Sequence, residues 1–465
     1  MSEKYGMENT NKSTRPLAVV ILAAGKGTRM NSKKPKVMHD VLGLPMITWL
    51  IRTVEGLNPD RICVVIAQGM HDVADAVAPH QTVIQEKQLG TGDALKSAMP
   101  ALKDFEGDIL VLLGDTPLIS EQTLERLIAA RHIDAVTGIS VLGVELDNPT
   151  GYGRLLMQKE DNVLNAIREE KDASLQEKQE RIVNTGAFCL DSRRIERWLG
   201  NIQNKNAQKE YYITDLPEIA AQDDIKTRVA LAYDASETQG CNTRLDLANL
   251  EAAMQRKMRE YCIVKSVKLQ DPETVYFHYD TEIGDGTLIE PNVFFGPNVK
   301  VGSNVHIKAF CHIEGAVIGD MTTVGPFARL RPGSTIGQDV RVGNFVEIKN
   351  STVGDRSKIS HLGYVGDTIM GDDVNFSCGA ITVNYDGFQK HQTTIGKGVM
   401  VGSNVNLVAP VTLDDGAFIA AGSTITTDVP ADSLSVERGR AEVRQGWATL
   451  YRKRKEDLKE KVKKK

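Results

Sequence analysis

Cysteine is scarce in this chain and never closely paired. The six residues are scattered without a CxxC spacing, which argues against disulfide frameworks and zinc sites and points to a reducing compartment. Long apolar runs are also missing, and none is long enough to span a bilayer. The first 16 residues are polar and lack the hydrophobic stretch of a signal peptide, so a cytoplasmic location is expected. Nor does one sign of charge dominate. The net charge is −5, with 25% charged and 41% hydrophobic residues, which gives no global attraction for nucleic acid or membrane. The exception is Tyr451 to Lys465, which carries nine Lys or Arg and reads as the solvated end of a helix. Aromatic residues make up only 5%, whereas glycine reaches 40 residues. The second half of the chain accounts for those glycines.

The 465 residues are enough for two or three domains. In the first half, apolar strand candidates at 17–23, 62–67, 109–113, 136–144 and 182–190 alternate with helical stretches such as 45–56 and 121–131. This rhythm predicts an α/β domain with a parallel, doubly wound sheet, whose ligands sit beyond the carboxyl ends of the strands. One such end carries LAAGKGTRM at 22–30, followed by KKPKVMH at 33–39. The fragment Gly25-Lys26-Gly27-Thr28 resembles part of a P-loop, but the required spacing fails: Val20 stands five residues before Gly25, and Gly27 follows Lys26. Ala23, Ala24, Gly25 and Gly27 allow close backbone approach, and Lys26, Arg29, Lys33, Lys34 and Lys36 crowd the loop. The residues alone leave two readings open, a phosphate-binding loop and a basic surface turn after a core strand.

Residues 245–262 place Leu247, Leu250, Met254 and Met258 on one helical face and read as a connector. After about residue 280 the period changes. Apolar residues recur every six positions through Ile283, Ile289, Phe295, Val301, Ile307 and Ile313. Five-residue steps then restart the series at Ile318 and again at Val353, and a last series runs from Ile395 to Ile425. A fixed hexapeptide period predicts an all-β, left-handed parallel β-helix, in which three hexads make one coil and residues 18 apart stack. The glycines that follow many inward residues are then expected to serve tight corners. NYDGFQKHQTT (384–394) is expected to leave the coil, and residues 426–450 to leave the helix altogether. The expected domains are a nucleotide-binding unit at 1–244 with a flexible extension at 1–16, a linker helix at 245–265, the β-helix at 266–450, and a basic tail at 451–465.

Specific motifs sharpen this reading. LAAGKGTRM…PKVMH, QLGTGDA (88–94), LGDTPL (113–118), PTGYGR (149–154), EEKDA (169–173), NTG (184–186), EYYITD (210–215) and CNTRLDL (241–247) together resemble the sugar-1-phosphate nucleotidyltransferases. The second half carries GPFARLRPG (325–333), GNFVEIK (343–349), HLGYVGD (361–367), ITVNYDG (381–387) and VGSN (401–404). With both halves in one chain, residues 17–450 resemble the bacterial bifunctional glucosamine-1-phosphate N-acetyltransferase/N-acetylglucosamine-1-phosphate uridylyltransferase family. The resemblance implies synthesis of UDP-N-acetylglucosamine in the cytoplasm by a homotrimer acting on small molecules, with Mg²⁺, UTP and acetyl-CoA and with no nucleic-acid partner.

For uridylyl transfer, a triphosphate and a phosphate nucleophile must meet, which demands cations and a metal. Arg29 and Lys36 fit the first need. Asp115, ending the strand ILVLLGD, fits a metal that favours a carboxylate plus phosphate oxygens, and Asn242 matches the family's second ligand. The resemblance further implies that Leu22, Ala23, Ala24, Gly25, Lys36, Gln85, Gly90, Thr91, Leu113 and Gly114 hold the nucleotide. It assigns Gly153, Glu169 and Asn184 to the sugar. Leu113 replaces the aromatic residue common in relatives.

For acetyl transfer, Arg331 and Lys349 each follow an inward residue and stand 18 apart, so they stack about 5 Å apart as a phosphate clamp. His361 is the candidate base, since imidazole titrates in the range an amine acyl transfer needs. Glu347 is a candidate to orient it. By resemblance, Tyr364 and Asn375 bind the sugar phosphate, and Cys378, Asn384, Tyr385, Ser403, Ala421 and Arg438 contact acetyl-CoA. Cys378 stands where relatives have a small alanine, and the inward series Met370, Phe376, Thr382 turns it outward.

Overall fold

The computed structural model describes residues 15–25, 27–158, 162–439 and 441–463. Lys26, Lys464, Lys465 and the expected N-terminal extension, apart from Arg15 and Pro16, lie outside the described residues. The chain divides into two compact units, Met1–Met258 and Arg259–Lys465.

The first unit is built on a nine-stranded sheet. Its strands are β1 (Leu17–Leu22), β2 (Arg61–Ala67), β3 (Gln81–Gln85), β4 (Asp108–Leu113), β5 (Thr137–Glu145), β6 (Arg154–Met157), β7 (Leu164–Arg168), β8 (Ile182–Asp191) and β9 (Lys226–Leu231). The order is β9-β5-β8-β4-β1-β2-β3, with β6 bridging β8 and β7. Apolar runs such as LAVVIL form central strands because both of their faces are buried. Ala18 and Val20 of β1 enter one core, and Val19 and Ile21 enter the other. Helices α1 (Met46–Gly56) and α3 (Glu121–Arg131) cover one face through Leu50 and Leu127. Helices α2 (Thr91–Ala98) and α4 (Ser192–Asn201) cover the other through Leu95 and Trp198.

The βαβ rhythm predicted a parallel sheet, but the sheet is mixed. Strand β8 runs antiparallel to both β4 and β5. The chain reaches it through the β6–β7 ribbon rather than a crossing α-helix, and an antiparallel strand needs no crossover. Strands β3, β6, β7 and β9 were not among the predicted ones, because they are short and carry polar residues such as those of QTVIQ and KTRVAL. Leu22 and Leu113 pair at the carboxyl ends of β1 and β4, so the loops that follow these strands emerge side by side. A last helix of this unit, α5 (Arg244–Val264), occupies the predicted connector and runs across the division at Met258.

The second unit is a left-handed β-helix of three parallel sheets with ten, eight and eight strands. Ile289, Phe295, Val301, Ile307, Ile313, Val324, Leu330, Val342, Ile348, Ile359 and Val365 are all at most 5% exposed, so the six-residue period is the inward face of the coil. Ile289 pairs with Ile307, but Ile307 pairs with Val324, so a five-residue step shortens a coil by one without losing register.

Two expectations change. With the exception of Gly325, at φ 96°, the glycines after inward residues do not take the left-handed corner conformation. Corners are held instead by residues such as Asn298, Asn304 and Phe327 at φ 56–58°. A Cβ on Gly319 would lie 2.6 Å from Gly337 O, and one on Gly354 would lie 2.4 Å from the Gly371 carbonyl carbon. Glycine is required there by the close approach of successive coils. Second, residues 426–450 do not leave the helix altogether: Leu434–Ser435 pairs with Phe418–Ile419 as a terminal strand. The first strand of the coil, Lys268–Leu269, pairs with Leu288–Ile289. Beyond it lies α6 (Trp447–Lys463), exposed throughout its described side chains, Trp447 to Lys459.

Candidate active sites

The loop after β1 is shaped by one glycine. Gly27 has φ 58°, and a Cβ there would come within 2.7 Å of the Lys36 Cβ. The following turns, Thr28–Met30 and Lys36–Met38, bring Arg29 and Lys36 over the end of β4. Lys36 Nζ lies 2.6 Å from Asp115 Oδ2 and 3.3 Å from Asn242 Oδ1, and Arg29 Nη2 donates to the same Asn242 oxygen at 2.9 Å. Four residues separated by up to 213 positions thus meet at one point. Asp115 is 7% exposed and two residues past β4. Asn242 is held because its N–H donates to Asp246 Oδ2 at 2.9 Å, while the Cys241 N–H donates to Asp115 O at 3.0 Å.

This cluster has the character of a polyphosphate site. Two cations flank two oxygen donors, and both donors approach a single cationic atom. No group of three or more His, Cys, Asp or Glu that could hold a metal occurs among the described residues. A cation bound by Asp115 and Asn242 would take its remaining ligands from phosphate and water, the arrangement Mg²⁺ tolerates well.

The other predicted nucleotide and sugar residues line the same end of the sheet. Gly114 N–H donates to Leu22 O at 3.0 Å, which joins the two strand ends. The buried Gln85 amide donates to Asp93 Oδ2 at 2.8 Å and Gly90 O at 3.2 Å. Gly90 has φ 119°, and a Cβ there would lie 2.5 Å from Tyr211 O, so glycine is needed. Thr91 Oγ1 accepts from the Ile213 N–H at 3.0 Å. Asn184 N–H donates to Gly153 O at 2.8 Å, and Glu169 accepts from the Thr214 hydroxyl at 3.1 Å. Burial pushes the Glu169 carboxyl up from its ordinary range. Leu113 packs against Gly186, where a Cβ would stand 2.4 Å from Leu113 Cδ1. Ala23 donates to Val65 O, and Ala24 O accepts from Gln88 Nε2 at 2.5 Å. Gly25 is exposed beside them. Gln88 was missed, although it opens the QLGTGDA motif.

In the β-helix, the predicted residues fall into two groups. The first is a ladder along one corner. Asn344 pairs with His361, and the adjoining pairs Ile359–Phe376, Phe376–Val401 and Val401–Ile419 carry the register on to Cys378, Ser403 and Ala421. Arg438 Nη1 closes the ladder by donating to Ala421 O at 2.7 Å. Cys378 is half-buried, while the other five cysteines are buried. Asn375, on the preceding strand, donates to Ser377 Oγ at 3.0 Å. Below His361 an open groove of about 530 Å³ continues past Arg341, Phe345, Phe327 and Lys308.

The second group lies at the far end of the next face. Leu330 and Ile348 pair, so Arg331 and Lys349 stack one coil apart, and Lys349 is level with Gly366. A Cβ on Gly366 would lie 2.5 Å from the Tyr364 hydroxyl and 2.7 Å from Asn384 Nδ2, which sets both side chains beside Lys349. Asn384 also donates to Asp367, and the exposed Tyr385 hydroxyl donates to Gly387 O at 2.6 Å. The neighbouring Lys390 pushes the Lys349 pKa down, with desolvation and Arg331 adding to the effect. Lys390 therefore lies close to Lys349 and adds a third cation to that end of the face. It was missed because it sits in the excursion, outside the hexapeptide register. Contrary to expectation, Glu347 does not meet His361; it accepts from Arg331 Nη1 at 2.8 Å. The side chain on the imidazole is Asn344 instead, with Nδ1 and Oδ1 2.7 Å apart.

Comparison with known proteins agrees with this two-part layout. Residues 19–181 match the MobA-like NTP transferase domain, and 280–315, 315–350 and 392–427 match the bacterial transferase hexapeptide repeats. The bifunctional protein GlmU of Paramagnetospirillum magneticum is 46% identical over 436 residues, covering 94% of this chain and 96% of that protein. The chain belongs to the GlmU family. GlmU of Zymomonas mobilis is 42% identical over 95% of this chain and 98% of its own length, and GlmU of Agrobacterium fabrum 43% over 97% and 99%. Like its GlmU relatives it is a bifunctional transferase, with a nucleotidyltransferase half and a hexapeptide acyltransferase half. No helix among the described residues is long and apolar enough to cross a membrane.

Proposed function

We propose that the chain makes UDP-N-acetylglucosamine in two steps. The β-helix transfers an acetyl group from acetyl-CoA to the amine of glucosamine-1-phosphate. The α/β unit then transfers a uridylyl group from UTP to N-acetylglucosamine-1-phosphate and releases pyrophosphate. The observation that carries this reading is the convergence of Arg29, Lys36, Asp115 and Asn242 in a chain that also stacks His361 with Cys378, Ser403 and Ala421.

In the uridylyl site, Asp115 and Asn242 would hold Mg²⁺, which would supply positive charge to the polyphosphate. Lys36 and Arg29 neutralise charge at the α-phosphate, where the sugar phosphate oxygen attacks and pyrophosphate departs. Leu22 to Gly25, Gln85, Gly90, Thr91, Leu113 and Gly114 bind the nucleotide, and Gly153, Glu169 and Asn184 bind the sugar.

In the acetyl site, His361 takes the proton lost by the amine as nitrogen attacks the thioester carbonyl, and returns it to the departing CoA sulfur, which leaves as the thiol. Cys378, Ser403, Ala421 and Arg438, with Asn384 and Tyr385, contact acetyl-CoA. Arg331 and Lys349 hold the sugar phosphate, Glu347 orders Arg331, and Tyr364 and Asn375 hold the sugar. The amine and the phosphate sit on neighbouring carbons of the substrate. His361 and the Arg331–Lys349 pair lie at opposite ends of one coil face, which favours a site completed by a second copy, as in a cytoplasmic homotrimer built through the β-helix. The domain bounds that go with this reading are 1–244, 245–265 and 266–450, with a basic tail at 451–465.

The direct test couples two assays on the purified chain: acetyl-CoA consumption with glucosamine-1-phosphate, and pyrophosphate release with UTP and N-acetylglucosamine-1-phosphate. Both should proceed. If only pyrophosphate release is seen, the β-helix is an assembly element and the acetyl assignment falls.

A further inference from the structure

The coil geometry selects the atom of His361 that is free to accept a proton. His361 ends the strand Lys358–His361, and Asn344 ends Arg341–Asn344 one coil below, in register. The Leu362 N–H donates to Asn344 O at 3.0 Å, which fixes the two corners together. The amide oxygen of Asn344 lies 2.7 Å from His361 Nδ1. An amide oxygen can only accept, so Nδ1 carries the proton and Nε2 keeps the lone pair.

We propose that Asn344 is the positioning residue of the acetyl site, holding His361 as the tautomer whose Nε2 faces the substrate amine. This inference rests on the reading of His361 as the base. The neutral character of Asn344 matters as much as its hydrogen bond. Charged and titratable groups on the surrounding elements are Lys358 on the same strand, Arg341, His306 and Lys308 along the groove below, the Cys378 thiol above, and Tyr364 and Glu347 on the next face. The one carboxylate of that set, Glu347, is engaged with Arg331 at 2.8 Å and with Arg329 at 4.0 Å. An amide therefore orients the ring without adding a negative charge that would favour the protonated imidazolium.

Two variants separate these roles. Asn344→Leu keeps the bulk and loses the acceptor. It should lower kcat for acetyl transfer roughly 10–100-fold, the usual cost of removing the partner that orients a functional histidine, with KM little changed and uridylyl transfer at the wild-type rate. Asn344→Asp restores the acceptor. It should recover most of kcat, while the acidic limb of the kcat/KM profile moves up by about one pH unit or more as the carboxylate stabilises imidazolium. Wild-type kcat and an unshifted profile in both variants would overturn the proposal. If Asn344→Leu also lowers uridylyl transfer and so fails to fold, the Asn344→Asp profile alone decides, and an unshifted limb counts against the idea. His361→Ala is the control on the underlying reading. Retained acetyl transfer in that variant removes the base itself, whereas loss there with unaffected Asn344 variants removes only the positioning role.

Discussion

The two units build their sites by opposite routes. In the α/β unit, Arg29, Lys36, Asp115 and Asn242 come from four distant segments, and only the pairing of β1 with β4 and the turn into α5 bring them within hydrogen-bond reach. In the β-helix, Asn344, His361, Cys378, Ser403 and Ala421 are successive rungs of one corner, set by a repeat that can be counted. A doubly wound sheet gathers loops at one edge, so its chemistry is decided by long-range topology. A solenoid contacts only its neighbouring coils, so its chemistry follows from period and phase. The comparison implies that the two sites should fail independently.

The largest effects test that independence. Asp115→Ala should reduce uridylyl transfer by roughly 10²–10³-fold or more and leave acetyl transfer near wild type. His361→Ala should do the reverse, with a loss of roughly 10²–10⁴-fold in acetyl transfer. Parallel measurement of both activities in each variant decides, and equal losses in either would merge what is separated here.

Alkylation of Cys378 sharpens the ladder. It is the half-buried cysteine of the six and the rung directly above His361. Mass mapping after brief alkylation should find modification at Cys378, protection by acetyl-CoA, and loss of acetyl transfer without loss of uridylyl transfer. Modification that leaves acetyl transfer intact would take Cys378 out of the acetyl-CoA path.

A smaller effect should be confined to the stability of the α/β unit. Burial, with help from Glu218, pushes the Asp215 carboxyl up to about 6. A raised carboxyl favours folding in its neutral form. That contribution is present below about pH 4 and is lost as pH rises through about 6. Asp215→Asn should therefore raise the melting temperature of that unit at pH 7, by a stability of about 1–3 kcal/mol, and change it little at pH 4. Calorimetry at the two pH values checks this, and an equal gain at both would assign the effect to packing.

The smallest change is expected from a fragment ending near residue 265. It retains the whole first unit and α5, so uridylyl transfer should stay within a few-fold of the full chain. A fragment that is folded by circular dichroism yet inactive would break the modular comparison.

The sequence by itself determined the elements whose signal is local. LAVVIL and, after Asp108, ILVLL declare doubly buried strands, because a strand covered on both faces needs apolar residues at successive positions. The hexapeptide series fixed the inward face of the coil from Ile289 to Ile425, because each turn repeats the same three-sided environment. The motif resemblance is enough to name Arg29, Lys36, Asp115 and Asn242, which the fold brings together. Tertiary structure decided what depends on approach between segments. Strand β8 is antiparallel because of the ribbon that delivers it, and the coil glycines answer to the backbone of the next coil, with no pattern in a single hexad to show either. Lys390 lies in an excursion whose register the period does not set, so only folding brings it beside Lys349. Glu347 and Asn344 make the same point. Both are polar residues near His361 in sequence or register, but Arg331 reaches Glu347 along its own face, and only the residue directly beneath the corner can meet the imidazole.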